Sequence, residues 1–203
     1  MCMEVKTIVS NTFGSNTHLL INNSDVIIFD AGAELESVKE QLNNKCVKAI
    51  FLTHLHFDHV YNLAGYVNQF NCPVYLFDEQ FVNNSNYTLD VMCGKFNLPN
   101  GCYKSLKDKQ FVNINGITVM CYHTPGHSYD SMCFQVKNHL FSGDTLFYGT
   151  IGRTDLLTSN TKEMLNSLEF LKTINFETCY SGHGQNSNYL DQQDNIKYFI
   201  MEL

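Results

Sequence analysis

Short apolar runs alternate with stretches of helical spacing along the first third of the chain. The runs are rich in β-branched and aromatic residues, which favours strands. These predicted strands are Val5–Val9, His18–Ile21, Val26–Phe29, Val47–Leu52 and Pro73–Phe77. Apolar residues recur at helical spacing in Glu34–Leu42 and again from Val60 to Phe70, which predicts two helices. Alternating strands and helices are typical of an α/β fold.

The second half of the chain predicts more strands and two further helices. The strands are Ile117–Tyr122, Met132–Val136, His139–Phe141 and Thr178–Ser181, and the helices are Met164–Leu171 and Gln192–Met201. Residues 84–109 are polar and without a clear period, so we predict a long loop with at most one helical turn. We find no repeat or Pro/Gly linker, and we expect one domain over residues 1–203.

Four of the predicted strands run directly into turns that carry histidine or aspartate. The segments are AIFLTHLHFDH, ITVMCYHTPGH, HLFSGD and TCYSGH. Strands that end at one edge of a sheet bring such turns together, even when they are distant in sequence. The pattern therefore predicts a single polar site built from four turns.

The first turn has the density of metal-binding side chains expected of a metal site. His54, His56, Asp58 and His59 occupy six positions, a pattern expected by chance in roughly one such sequence in a thousand. In an extended segment, His54, His56 and Asp58 would point the same way. Imidazole and carboxylate ligands suit zinc, manganese or iron. The alternative interpretation is a turn with surface histidines.

Three more candidate ligands follow the later strands: His127, Asp144 and His183. Each taken alone is more often structural, but together they complete a set of seven. Glycines beside them, such as Gly126 and Gly182, permit tight turns and close approach of the backbone.

In this order and at these separations, THLHFDH, TPGH, SGDT and GHG resemble the motifs of the metallo-β-lactamase superfamily, and FDAG at Phe29–Gly32 resembles another. The segment FSGDTLFYGTIGRTDL is most similar to small glyoxalase II-like members. The resemblance implies an αββα sandwich with a site for two metal ions. It would assign His54, His56 and His127 to the first ion and Asp58, His59 and His183 to the second, with Asp144 bridging both. Asp30 would orient a ligand histidine, or it is an ordinary turn carboxylate.

These ligands lead to the expectation of a binuclear metal-dependent hydrolase. A hydroxide shared by two zinc ions, or by iron or manganese, would attack the carbonyl carbon of a small ester or thioester. The bridging Asp144 and the ligand Asp58, which could pass a proton to the leaving group, are the expected catalytic residues. The glyoxalase II-like motifs make S-lactoylglutathione the first candidate substrate.

The main alternative is a persulfide dioxygenase with a single iron held by His54, His127 and Asp144. The intact second ligand set, especially His183, favours the hydrolase. A metal-binding protein without catalysis is a third interpretation. β-Lactamases of this fold usually lack the bridging aspartate, so we do not expect antibiotic hydrolysis. Little chain follows His183, and Asn195–Tyr198 stands where small relatives carry Asn-Pro-aromatic, so glutathione specificity stays open.

Composition adds limits on partners and location. The net charge of −7 argues against binding nucleic acid through phosphate contacts, and we expect a small-molecule substrate. We find neither a signal peptide nor a membrane span, and the eight cysteines form no CxxC pair. A reducing cytoplasm with core cysteines is the expected setting. The oligomeric state stays open.

Several other polar residues have more than one interpretation. Arg153 and Asp155 match the family's GRTD-like segment and predict a structural ion pair, with Arg153 binding a substrate carboxylate as the alternative. Tyr148 could donate a hydrogen bond near the site. We expect His123 to be a core or supporting residue, and Lys104, Lys107 and Lys109 to be solvated.

Overall fold

The computed structural model describes residues 3–77 and 103–203. By its internal contacts the chain divides into two compact units, Met1–Leu106 and Lys107–Leu203. Each unit contains a six-stranded sheet.

The sheet of the first unit has the strand order β1-β2-β3-β4-β5-β6. Its strands are Glu4–Val9, Asn16–Asn22, Asp25–Phe29, Cys46–Phe51, Val74–Phe77 and Tyr103–Leu106. The first three are antiparallel neighbours, and β3 to β6 run parallel. Because β3 and β4 are parallel and adjacent, the residues after Phe29 and Phe51 lie at the same edge of the sheet.

Three described helices connect these strands: α1 (Leu35–Leu42), α2 (Phe57–Val60) and α3 (Leu63–Phe70). Their apolar residues pack with one face of the sheet in a core that includes Val38, Leu63, Tyr66 and Ile28. The helix predicted from Val60 to Phe70 is confirmed over Leu63–Phe70, but Val60 belongs to the separate helix α2, and the two helices meet at Tyr61 and Asn62. Asp58 belongs to α2, so it does not share an extended segment with His54 and His56 as predicted.

The sheet of the second unit has the order β14-β13-β10-β9-β8-β7. Its strands are β7 (Gln110–Ile114), β8 (Ile117–His123), β9 (Met132–Val136), β10 (His139–Gly143), β13 (Thr178–Ser181) and β14 (Ser187–Asn188). β7 to β10 form an antiparallel meander, and β13 adds to β10 in parallel. The carboxyl ends of β8, β10 and β13 therefore point to one edge of this sheet.

Helices α4 (Thr161–Leu171) and α5 (Tyr189–Glu202) cover part of this sheet. Their core includes Met164, Leu168, Ile196, Cys133 and Cys179. A two-stranded hairpin of β11 (Leu146–Phe147) and β12 (Thr150–Ile151) follows β10.

Each sheet has an irregular strand just before a predicted ligand turn. In β10, Phe141 pairs with Tyr180 and Gly143 with Ser181, which leaves Ser142 as an extra residue. In β4, Val47 and Ala49 pair with consecutive residues of β3, which leaves Lys48 as an extra residue. These are β-bulges.

The predicted loop over residues 84–109 is partly wrong. Tyr103–Leu106 forms strand β6, which continues the sheet in parallel with β5. Residues 84–102 of that prediction lie outside the described residues. Strand β7 was not predicted either, because its alternation of exposed and buried residues is short and its Phe111 side chain is exposed.

In the part of the chain that the structure describes, no helix has the length and apolar composition needed to span a bilayer. Cys72, Cys121, Cys133 and Cys179 are buried free thiols, as predicted for core cysteines, and Cys46 is exposed.

We expect iodoacetamide to distinguish these thiols. Burial raises the pKa of Cys133 to about 12 and that of Cys179 to about 11, so both stay protonated and enclosed at pH 8. In native protein, peptide mass spectrometry should find Cys46 alkylated while Cys133 and Cys179 stay unmodified. All three should react in denaturant. Fast native labelling of Cys133 would mean that the core of the second unit opens readily.

Candidate functional site

The first cluster of predicted ligands lies where β4 ends and α2 begins. His54 and His59 are buried, with their rings 4.3 Å apart between centroids, and the ring of His56 lies 4.6 Å from that of His54. Asp58 Oδ2 lies 3.5 Å from His59 Nε2. The structure therefore brings the four predicted ligands of the first unit together.

Asp30 holds this cluster in position from the neighbouring strand. Its buried carboxylate accepts hydrogen bonds from the Thr53 amide (2.7 Å), from Thr53 Oγ1 (2.8 Å) and from His59 Nδ1 (2.9 Å). Asp30 has a φ of 62°, and this left-handed turn is what aims its side chain at the end of β4. A carboxylate bound to Nδ1 leaves Nε2 of His59 available to a metal ion, and this contact is the kind expected of the orienting role predicted for Asp30.

The backbone of Asp58 is also held closely. Ser15 Oγ donates a hydrogen bond of 2.7 Å to the Asp58 carbonyl. A Cβ at Gly32 would lie 2.1 Å from that carbonyl oxygen and 2.4 Å from Ser15 Oγ, so the close approach requires glycine. The FDAG turn, which contains Gly32, thus fixes the start of α2.

The second cluster lies at the carboxyl edge of the sheet in the second unit. Asp144 Oδ2 lies 3.4 Å from His127 Nε2 and 3.7 Å from His183 Nε2. The side chains of His127 and Asp144 are nearly buried, and that of His183 is 33% exposed. The parallel pairing of β10 with β13 places Asp144 and His183 side by side, and the Gly182 amide donates to the Gly143 carbonyl at 2.8 Å.

His127 is oriented by the backbone beyond the hairpin. Its Nδ1 lies 3.1 Å from the carbonyl oxygen of Arg153, which fixes Nε2 towards Asp144. The turn that carries His127 is itself anchored, because Ser167 Oγ donates to the Pro125 carbonyl at 2.7 Å and the Asn160 amide donates to the Gly126 carbonyl at 2.8 Å.

Both clusters fit a metal ion in their chemistry and spacing. Tetrahedral ligands about 2.0–2.1 Å from zinc lie about 3.3–3.4 Å from each other. The nitrogen–oxygen separations are 3.5 Å for Asp58 with His59, and 3.4 and 3.7 Å for Asp144 with its two histidines. In each cluster, the backbone or a carboxylate binds Nδ1 of a histidine whose Nε2 faces the aspartate.

The other predicted residues are less closely tied to the clusters. The Arg153 guanidinium donates to both carboxylate oxygens of Asp155, at 2.9 and 3.0 Å, and this exposed pair lowers the pKa of Asp155 through the hydrogen bond from Arg153. The predicted ion pair is therefore present. His123 Nε2 lies 2.7 Å from the Tyr129 carbonyl oxygen, a supporting contact. Tyr148 is half-exposed in the turn between β11 and β12.

Sequence reasoning missed an aromatic surface beside the first cluster. The Phe13 ring lies 4.4 Å from that of Phe57 and 5.0 Å from that of Tyr61, between centroids. Phe57 stands between His56 and Asp58, and Tyr61 is exposed. Phe13 comes from the turn after β1, so only the fold reveals that the three rings meet.

Replacement of Asp30 by asparagine should weaken metal binding by the first cluster about 10–100-fold, as expected for a residue that supports a ligand histidine. The amide lacks the charge that holds the Nδ1 proton of His59. Titration against a chromophoric chelator measures the change. Asp25→Asn is the control, because Asp25 begins β3, at the end away from Asp30, and pairs with Lys48 (3.6 Å). If both variants bind metal with the same affinity, Asp30 does not support metal binding by His59.

The metallo-β-lactamase superfamily model matches residues 11–183. YqgX of Bacillus subtilis, a probable metallo-hydrolase, is 33% identical over 193 residues, which cover 89% of this chain and 90% of that protein. The atrochrysone carboxyl ACP thioesterase of Aspergillus fumigatus is 30% identical over 180 residues, which cover 84% of this chain and 51% of that protein.

Two solved structures give the same result for the fold. The B3 metallo-β-lactamase BLEG-1 superimposes with a TM-score of 0.84 and 28% identity, over 97% of this chain and 99% of that one. TTHA1623 in a di-iron-bound form superimposes with a TM-score of 0.75 and 27% identity, over 90% and 94% of the two chains. The predicted fold class is confirmed.

Proposed function

Because the chain belongs to the metallo-β-lactamase superfamily and its relatives include a probable metallo-hydrolase, we propose that its two clusters bind metal ions and that the protein hydrolyses a small ester or thioester. The observation that carries the proposal is the pair of preorganised donor sets. Each presents a carboxylate oxygen within 3.5 Å of an imidazole Nε2 whose other nitrogen is already bound.

Seven side chains would hold two ions. The first ion would be bound by His54, His56 and His127, and the second by Asp58, His59 and His183. Asp144 would bind both ions. The di-iron form of TTHA1623, at 27% identity, supports a count of two. We propose zinc as the native metal, with iron and manganese as alternatives, because all three accept imidazole and carboxylate.

When bound, the ions would lower the pKa of water and stabilise the charge that develops on the carbonyl oxygen. The protein's own part is orientation and proton transfer. Asp30 and the Arg153 carbonyl hold two imidazoles by Nδ1, so their Nε2 atoms need no reorganisation. The Asp58 side chain is 21% exposed, so it can exchange a proton with substrate. In the proposed reaction Asp58 accepts a proton from the water, the water oxygen bonds to the acyl carbon, the bond to the leaving group breaks, and Asp58 passes the proton to the leaving group.

A thioester is the favoured substrate class for two reasons. A thiolate leaves with little protonation, which suits a carboxylate that also binds metal. The A. fumigatus relative is named a thioesterase. The surface of Phe13, Phe57 and Tyr61 beside the first cluster favours an apolar acyl group or thiol portion. S-lactoylglutathione is the first compound to test.

β-Lactam hydrolysis is the second candidate, favoured by the 28% identity with BLEG-1. We place it below thioester hydrolysis because Asp144 supplies a bridging carboxylate that β-lactamases of this fold usually lack. A persulfide dioxygenase with one iron on His54, His127 and Asp144 is the remaining alternative.

The first test is the metal content of protein purified without added metal or chelator. Elemental mass spectrometry should find close to two ions per chain. Close to one iron and little else would instead support the dioxygenase, to be followed by oxygen consumption with glutathione persulfide.

The second test is a substrate panel on the metal-loaded protein. We expect S-lactoylglutathione or another acyl thioester to be cleaved faster than nitrocefin, with a chelator stopping the reaction and zinc restoring it. Faster turnover of nitrocefin would favour the β-lactamase. No turnover of any ester, thioester or β-lactam by a fully loaded protein would overturn the proposal.

A further inference from the structure

The segment Asp144–Arg153, which we name the ligand hairpin, is connected to every predicted ligand of the second unit. It begins with Asp144 itself. Its last residue supplies the carbonyl that lies 3.1 Å from His127 Nδ1. The ring of Phe147, in β11, lies 6.1 Å from the His183 ring in an edge-on arrangement. Where the ligand hairpin lies therefore determines the geometry of this cluster.

The ligand hairpin is too short to hold its own position. β11 and β12 have two residues each, and an isolated two-stranded ribbon is at best marginally stable in water. Its base is closed by the Gly152 amide, which donates to the Thr145 carbonyl at 3.4 Å. Its outer part needs support from elsewhere in the unit.

Two side-chain amides of helix α5 provide that support. Asn195 Nδ2 donates to the Thr150 carbonyl at 2.8 Å and to the Phe147 carbonyl at 3.2 Å. Gln192 Nε2 donates to the same Phe147 carbonyl at 2.9 Å and to Ser187 Oγ at 2.7 Å. Asn195 Nδ2 also lies 3.3 Å from Gln192 Oε1, so the two amides hold each other. Both residues are buried, one helical turn apart on one face of α5.

From this chain of contacts, we propose that Gln192 and Asn195 are positioning residues for the metal ligands of the second unit. They hold the carbonyls of β11 and β12 in place, and the ligand hairpin in turn holds Asp144, His127 and His183 in position. The inference rests on the proposed function, since it requires these three residues to bind metal. It assigns to the last helix a role in metal affinity as well as in core packing.

Gln193 offers a matched control. It has the same side chain as Gln192, lies on the same helix and is 9% exposed. Its amide donates to the Lys172 carbonyl after α4, at 3.3 Å, and not to the ligand hairpin. Gln193→Ala therefore removes a buried amide anchor without touching the cluster.

The test compares wild type, Asn195→Ala, Gln192→Ala and Gln193→Ala. The Tm of each metal-free protein is measured, then the affinity for Zn²⁺ by chelator competition and the visible spectrum of the Co²⁺ form. We expect Asn195→Ala to bind one of its ions about 10–100-fold more weakly and to change the Co²⁺ spectrum. Gln192→Ala should act in the same direction, and Gln193→Ala should bind like wild type even if its Tm falls.

Wild-type affinity and spectrum in both Asn195→Ala and Gln192→Ala would overturn the inference, as would equal weakening in Gln193→Ala. If Asn195→Ala does not fold, Asn195→Ser, which keeps a shorter donor, replaces it with the same expectation. A wild-type protein that binds no metal would instead count against the proposed function. The two failures are therefore distinguishable.

Discussion

Replacing His54 with alanine is expected to lower kcat/KM for thioester hydrolysis by roughly 10³-fold or more. A bound metal ion contributes several kcal/mol of transition-state stabilisation, and about 4 kcal/mol corresponds to ~10³ in rate. His54 is buried within the first cluster, with its ring next to those of both His56 and His59. Its loss should therefore remove a ligand that solvent cannot replace in the same geometry.

The measurement pairs turnover with metal content per chain and with circular dichroism. His139→Ala is the control, because His139 lies at the other end of the second unit's sheet, 3.3 Å from the Tyr180 hydroxyl. It should keep wild-type turnover and metal content. A folded His54→Ala protein with unchanged turnover would remove His54 from the metal site.

Replacing Gly152 with alanine should strongly destabilise the second unit. The new Cβ would lie 1.8 Å from the Asp144 carbonyl oxygen and 3.0 Å from His127 Cβ. Overpacking against backbone costs about 3 kcal/mol, which lowers Tm by about 6–12 °C in a chain of this size. Relief of the clash must move Asp144 or His127, so metal affinity should fall as well.

Gly65→Ala is the matched control for this substitution. Gly65 lies inside α3, and a Cβ there would meet only Leu35 Cδ2, at 3.6 Å. Alanine in a helix interior is favoured over glycine by about 0.5–1 kcal/mol, so Tm should hold or rise. Calorimetry measures the Tm of both variants, and a Gly152→Ala protein as stable as Gly65→Ala would contradict the close packing of Gly152 against Asp144 and His127.

The candidate ligands could be predicted from the sequence because their positions depend on strand ends. Phe29 and Phe51 close parallel neighbouring strands, so Asp30 and Thr53 had to meet once the sheet formed. The same holds for Asp144 and His183 after β10 and β13. Local apolar runs followed by polar turns are visible in one sequence, and the chemistry of histidine and aspartate supplies the rest.

The break between α2 and α3 could not be predicted in this way. Val60, Leu63 and Val67 keep helical spacing across it, since both helices bury the same side. The cause is non-local: the Asn62 amide donates to the Ala31 carbonyl at 2.9 Å, while its helical acceptor, the Asp58 carbonyl, is bound by Ser15. Periodicity carries no information about such competing partners.

The support of the second cluster was equally invisible. Gln192 and Asn195 look like ordinary polar positions of an amphipathic helix, and the carbonyls they bind lie far away in the sequence. A hydrogen bond accepted by a backbone carbonyl does not constrain which residue type stands at that position. Arg153 illustrates the same limit, because its side chain suggested an ion pair while its carbonyl orients His127.

The extra residues in β4 and β10 have a consequence for how this chain can change in evolution. Side chains alternate between the faces of a strand, so one residue added to a regular strand turns every later side chain to the other face. A bulge absorbs the added residue locally, because the pairing with the neighbouring strand continues on both sides of Lys48 and of Ser142. Loss of either residue would therefore leave the downstream pairing unchanged, and with it the direction of the turns that carry His54 and Asp144. Selection should accordingly tolerate a change of one residue in length at these two positions more readily than elsewhere in β4 and β10.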